Sequence, residues 1–158
     1  MSIKILSRKE LNKFVNSDEG KGYHVIIITG IDEKYLVPEI KAAATGEVLD
    51  LEFTDIEFDS PEIRTRYSPP EKQHVQKALE WAIEKENIAI ACMAGVSRSS
   101  AIAFAIETCR HGPWQAESVL VKGQHRPNKL IVKYAAELLG EPEMIDVADQ
   151  YRDYTDPA

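Results

Sequence analysis

Cysteine is scarce in this chain: its 158 residues hold two, Cys92 and Cys109, too few for a disulfide framework. Long apolar runs are missing as well. The longest, Val25–Ile28 and Ala101–Ile106, fall far short of the roughly 20 residues that span a bilayer. The first ten residues contain no apolar h-region, so no secretory signal is expected. Positive charge is in deficit: 19 Lys and Arg against 26 Asp and Glu give a net charge of −7. Such a chain suits neither nucleic acid nor an anionic membrane, both of which call for a basic face. Its 4 histidines show no metal-ligand spacing. Repeats, low-complexity stretches and interdomain linkers are absent. What remains, 44% hydrophobic and 28% charged, is the composition of a soluble globular domain. The expectation is one reduced, cytoplasmic domain over residues 1–158, with an acidic tail from about residue 141.

Periodicity gives the elements. Ser7 and Glu10 form a capping-box pattern, predicting a helix from Arg8 to about Asn16. His24–Thr29 is β-branched and almost wholly apolar, the mark of a strand buried on both faces, and Gly30 ends it. Over Glu47–Phe53, Leu49, Leu51 and Phe53 alternate with Asp50 and Glu52, as in a half-exposed strand near a sheet edge. Residues 60–67 read as irregular and charged. Ser68-Pro69-Pro70-Glu71 predicts a helix start, followed by the stripe Val75, Ala78, Leu79, Ala82 and Ile83, until Asn87 breaks the pattern. Ile88–Ala91 reads as a short strand. Ser99–Arg110, apolar all round over Ala101–Ile106, reads as a central buried helix stopped by Gly112-Pro113. Two more helices are expected near Trp114–Lys122 and Lys129–Leu139, the latter with Lys129, Lys133 and Glu137 as its wet stripe. The tail is expected to be helical over Met144–Tyr151 and frayed beyond. Strands alternating with helices predict an α/β domain, its mainly parallel central sheet flanked by helices.

The chemistry concentrates in Cys92-Met93-Ala94-Gly95-Val96-Ser97-Arg98-Ser99, between the strand and the central helix. A loop entering a helix N-terminus turns free N–H groups into one concavity at the positive end of the dipole. Gly95 permits the tight turn, and Arg98 can fork two N–H groups onto two phosphate oxygens. The same field acts on Cys92. A thiol with an ordinary pKa of about 8.5 is a weak nucleophile at neutral pH, and a helix N-terminus with an arginine favours its thiolate, placed to attack phosphorus in line. The Ser99 hydroxyl could hydrogen-bond the sulfur. The whole segment 93–99 is therefore expected to hold phosphate, with Cys92 as nucleophile. The bare spacing of cysteine and arginine arises readily by chance; the strand before it, the helix after it, and the glycine and serines within carry the inference.

This loop resembles the CxxGxxR-Ser/Thr signature of the protein tyrosine and dual-specificity phosphatase superfamily, the dual-specificity branch especially. Val48–Phe58 looks like the acid-loop strand of its small bacterial members. Arg126-Pro127-Asn128-Lys129-Leu130 looks like their Pro-Asn turn before a C-terminal helix. The resemblance covers about residues 24–140. It implies hydrolysis of phosphate monoesters through a phospho-cysteine, with no metal or cofactor. The implied substrate is a phosphorylated protein, phosphotyrosine foremost, or a small phosphomonoester. It also implies an aspartic acid that protonates the leaving oxygen, worth about 10²–10⁴ in rate. Functional groups gather past the carboxyl ends of parallel strands, so Asp55, just beyond Phe53, is the first choice and Asp59 the second; Asp50, inside the strand, reads as solvated. One departure is Ala91, where the family usually carries a histidine.

Other signals read as structural. Cys109 is expected to be a core thiol, His74 to be solvated, and Arg64, Arg66 and Arg126 to lie at the surface or on the pocket rim. Two alternative functions stand beside the phosphatase: a phosphate-binding module without catalysis, suggested by Ala91, and a rhodanese-like sulfur transferase, disfavoured by the five residues between Cys92 and Arg98.

Overall fold

The computed structural model describes residues 2–152, apart from the side chains of Tyr35 and Leu36. Its centre is a four-stranded, wholly parallel sheet: β1 (Ser2–Ser7), β2 (His24–Thr29), β3 (Val48–Glu52) and β4 (Asn87–Cys92), in the order β1-β4-β2-β3. β4 runs down the middle, with Cys92 opposite Ser7 and Ala91 opposite both Leu6 and Ile27. β3 is an edge strand, as its alternation predicts, with Leu51 and Phe53 buried and Glu52 exposed.

Helices cover both faces. α1 (Arg8–Val15) and α2 (Val37–Ala43) pack against Val25, Ile27, Ala89 and Ala91. The larger layer holds α4 (Lys72–Ala82), α5 (Arg98–His111), α7 (Lys129–Leu139) and α8 (Glu143–Asp149), with short helices α3 (Pro61–Arg64) and α6 (Pro113–Ala116) between them. It closes over Ile26, Ile28, Ile88, Ile90 and Cys92. Strand periodicity makes this division: even-numbered residues of β4 face α5, odd-numbered ones face α1 and α2. Ile102 and Phe104 of α5 are fully buried, each worth about 1.5–3 kcal/mol.

Several elements differ from expectation. β1 was not foreseen, its signal being only Ile3 and Ile5 at the chain's start. Neither was the segment from Ile31 to Ala43, a 3-10 turn (Ile31–Leu36) running into α2. The stretch 60–67 is not wholly irregular: the Ser60 hydroxyl accepts from Ile63 N and starts α3. α4 begins at Lys72 with Glu71 as its N-cap, not at Ser68. Ser68 and Pro69 each precede a proline, which disfavours helical backbone, and the Ser68 carbonyl instead accepts from Thr54 N at 2.7 Å. The helix expected near Trp114–Lys122 ends at Ala116, with a 3-10 turn over Glu117–Val119; the Val121 N–H goes to His125 Nδ1 at 2.9 Å. α7 spans the expected residues, and Lys129, Lys133 and Glu137 are exposed. α8 ends at Asp149, while Tyr151 is buried and donates to Glu117 Oε2 at 2.7 Å. The expected fraying beyond Tyr151 falls, after Arg152, outside the described residues.

Cys109 is exposed rather than core, because it lies on the outer face of α5, beside exposed Ile83, while Thr108 of the same turn is buried. His74 is half-buried rather than solvated: its ring lies 4.9 Å from that of Phe53, and its Nδ1 accepts from Glu71 N.

Candidate active site

The strands are parallel, so their carboxyl ends share one edge, and four loops meet there. β4 ends at Cys92 on the α5 face. Its Sγ lies 3.1 Å from Ser99 Oγ, in the first turn of α5. Between them the chain turns through Gly95 at φ +71°. A Cβ on Gly95 would stand 2.7 Å from the backbone of Leu6 and Ser7, so the end of β1 presses on the loop from below. The Arg8 N–H donates to Met93 O at 3.3 Å, and the Arg126 and Asn128 N–H groups donate to Val96 O and Ser97 O at 3.0 and 3.1 Å. The Ser100 hydroxyl donates to Val96 O at 2.6 Å. Met93 and Ala94 are exposed at the mouth, and Cys92 and Arg98 are buried.

Arg98 reaches across the sheet edge. Its Nη1 donates to Glu33 Oε1 at 3.0 Å and to Phe53 O at 3.1 Å. Its Nε–H is buried without a hydrogen-bond partner. Glu33 also lies against buried Arg8, Nη2 to Oε2 at 3.8 Å. Burial pushes the Glu33 carboxyl up, but the Arg98 hydrogen bond, the Gly30 N–H and the charges of Arg98 and Arg8 outweigh it and hold the carboxyl below its ordinary value. Two guanidiniums, Arg98 and Arg8, thus share the Glu33 carboxylate at this corner.

Asp55 follows β3. Its Oδ1 accepts from Ser97 Oγ, inside the Cys92–Arg98 loop, and from Asn128 Nδ2, both at 2.8 Å; Asn128 Nδ2 also donates to Ile56 O at 3.1 Å. Asp59 is elsewhere. Arg64 donates to it through Nε and Nη2 at 2.8 and 2.7 Å, and that hydrogen-bonded guanidinium holds the carboxyl below its ordinary value. Asp50 stays on its strand beside Lys34. Arg66, Asp55, Glu33 and Arg98 line one cleft of about 440 Å³ with Ile31 and Tyr67. A larger cavity of about 860 Å³ lies behind the Asp55 loop, between α7 and α8, and contains neither Cys92 nor Arg98. Among the described residues, no group of three or more His, Cys, Asp or Glu could hold a metal ion, and no helix is long and apolar enough to cross a membrane.

Arg8, Glu33 and the Asn128 side chain were not singled out from sequence. Glu33 and Asn128 act across 65 and 73 residues, where no local spacing signals them.

This is the fold of the protein tyrosine and dual-specificity phosphatases. A crystal structure of PTPMT1 in complex with PI(5)P matches with a TM-score of 0.62, at 16% identity over 94% of each chain. A second structure of PTPMT1 matches with a TM-score of 0.56, at 18% identity over 88% of this chain and 92% of that one. Tk-PTP in its active form matches with a TM-score of 0.53, at 17% identity over 91% of this chain and 90% of that one. No family model and no curated protein sequence matches the chain.

Proposed function

We propose that the protein is a cysteine-dependent phosphatase that hydrolyses phosphate monoesters, with phosphotyrosine in proteins as its foremost substrate. The observation that carries this reading is the buried, unpartnered Nε–H of Arg98, in the turn where the Cys92 sulfur meets the Ser99 hydroxyl. A buried donor without a partner is costly, and a phosphate oxygen would satisfy it. Glu33 and Phe53 O already hold Nη1, which orients the Nε–Nη2 edge for a bidentate fork. The N–H groups of segment 93–99 complete the cradle.

The Cys92 thiolate attacks phosphorus, and the bond to the leaving oxygen breaks as that oxygen takes a proton from Asp55. Both hydrogen bonds to Asp55 fall on Oδ1, leaving Oδ2 to carry the proton. Water then attacks the phospho-cysteine and gives a proton back to Asp55. Inorganic phosphate leaves with the thiolate restored, its sulfur steadied by Ser99. No step calls for a metal or cofactor. Asp59, paired with Arg64, is the poorer acid. The loop interior Met93–Ser97 carries no lysine or arginine, which disfavours highly charged phosphoinositides. Ile31 and Tyr67 at the mouth offer apolar surface to an aromatic substrate. The net charge and the unpaired thiols fit a reduced cytoplasmic compartment.

Ala91 favours a second reading, a phosphate-binding module without turnover. Acid quenching with a radiolabelled phosphotyrosine peptide separates the two. The expected result is label on Cys92 in the native chain, none in Cys92→Ser, and retained vanadate binding by that variant. Phosphate binding with neither label nor turnover would establish the second reading instead.

A further inference from the structure

The loop that carries Asp55 has little backbone support. From residue 54 to 60, the backbone N–H groups that reach another backbone carbonyl outside helices and strands are Thr54 N, to Ser68 O, and Ile56 N, to Thr54 O; the Ser60 N–H goes to the neighbouring Asp59 side chain. Side chains must set its position, and the most heavily bonded of them is Glu57. Glu57 Oε2 accepts from Lys129 N at 2.8 Å and from Arg152 Nη1 at 2.7 Å, while Oε1 accepts from Arg152 Nη2 at 2.6 Å. Arg152 Nη1 also donates to Pro127 O at 3.2 Å. The pair is largely enclosed, with side-chain exposures of 16% for Arg152 and 31% for Glu57. A single guanidinium just past α8 therefore joins the Asp55 loop to the Pro127-Asn128 turn. That same turn supplies the Asn128 amide to Asp55 Oδ1.

We propose that Arg152 is a positioning residue for the general acid: through Glu57 and Pro127 it holds Asp55 where the leaving oxygen needs its proton. This rests on the phosphatase reading above. The geometry favours a positioning role over a mere staple for α8, because both bonded partners flank the acid and both terminal guanidinium nitrogens, Nη1 and Nη2, are used on one loop carboxylate. A misplacement of about 1 Å costs about 100-fold when a reacting group must be aligned.

The test compares the full chain with Arg152→Met and Arg152→Lys. One readout is turnover of aryl phosphates whose phenols range from strongly to weakly acidic; the other is amide hydrogen exchange of residues 54–60. In Arg152→Met, kcat/KM should fall about 10–100-fold for the most basic leaving group, within the span of general-acid catalysis, and much less for the least basic. Vanadate inhibition should be unchanged, and exchange over 54–60 should rise. Arg152→Lys, which keeps the charge but not the fork, should fall between. An unchanged leaving-group dependence in an active enzyme overturns the proposal. So does unchanged exchange over 54–60, whether or not the chain is active, whereas a native chain inactive on every aryl phosphate counts against the phosphatase reading instead. If Arg152→Met does not fold, Glu57→Gln is measured in the same way and judged by the same outcomes.

Discussion

Asp55 and Asp59 stand four residues apart on one loop, yet their surroundings give them opposite prospects. Arg64 takes both oxygens of Asp59, so a proton there would break a bidentate pair. Asp55 keeps one oxygen clear of donors. Asp55→Asn should therefore slow release of basic leaving groups about 10²–10⁴-fold and acidic ones far less, while Asp59→Asn should leave that dependence as it is. Steady-state rates on paired aryl phosphates decide it; the reverse pattern would transfer the acid role to Asp59. The spacing of Cys92, Gly95 and Arg98 is local, confined to one turn between a strand and a helix, and so could be read from sequence. Glu33 reads as an ordinary acidic residue until β2 and β4 are aligned side by side and its carboxylate meets Arg98.

At the level of elements, the end of β1 matters more than its length suggests. It is the floor beneath Gly95, which combines a positive φ with a Cβ direction blocked by the Leu6 and Ser7 backbone. Gly95→Ala should cost about 1–3 kcal/mol in backbone strain, lowering Tm by several degrees, and should abolish most turnover because the loop cannot move down to relieve the overlap. Thermal melts and kinetics on the same preparation check both; a variant with normal turnover would show that the turn is not needed. β1 itself escaped notice because two isoleucines around Lys4 are too brief a pattern to separate from chance. β2, β4 and α7 were legible because each buries a face long enough for its period to emerge. The start of α4 was misplaced because a serine before two prolines mimics a cap, while the backbone restriction on residues preceding proline works against a helix there.

Across the whole molecule, two histidines and two paired glutamates pull stability in one direction on the acid side. Burial lowers His125 and His74 below their ordinary 6.5, so the unfolded chain binds more protons there and stability falls as pH drops from 6.5 through the folded values. For Glu33 and Glu57, burial pushes up but paired arginines and backbone N–H groups prevail, holding both below 4.5. Their contribution is present above 4.5 and is lost as pH falls through the lower folded values. Thermal melts at successive pH values should show a decline beginning below about 6.5 and steepening below about 4.5. Greater stability at pH 5 than at pH 7 would contradict this.

The common direction of the four strands also gives the molecule a working end and a handle. Every group assigned to chemistry lies at Cys92, the end of β4, or past the last residues of the strands, Ser7, Thr29, Glu52 and Cys92. The opposite rim, one strand length or roughly 20 Å away, is bounded by the turns around Asp18–Gly22, Ala44–Gly46 and Ile83–Glu86. There Gly22 adopts φ +85° with open space around its missing Cβ. A surface tether, reporter dye or fused cargo attached at that rim would leave the catalyst facing outward and unobstructed, whereas the same attachment in 31–36, 54–60 or 121–128 would sit in the substrate's path.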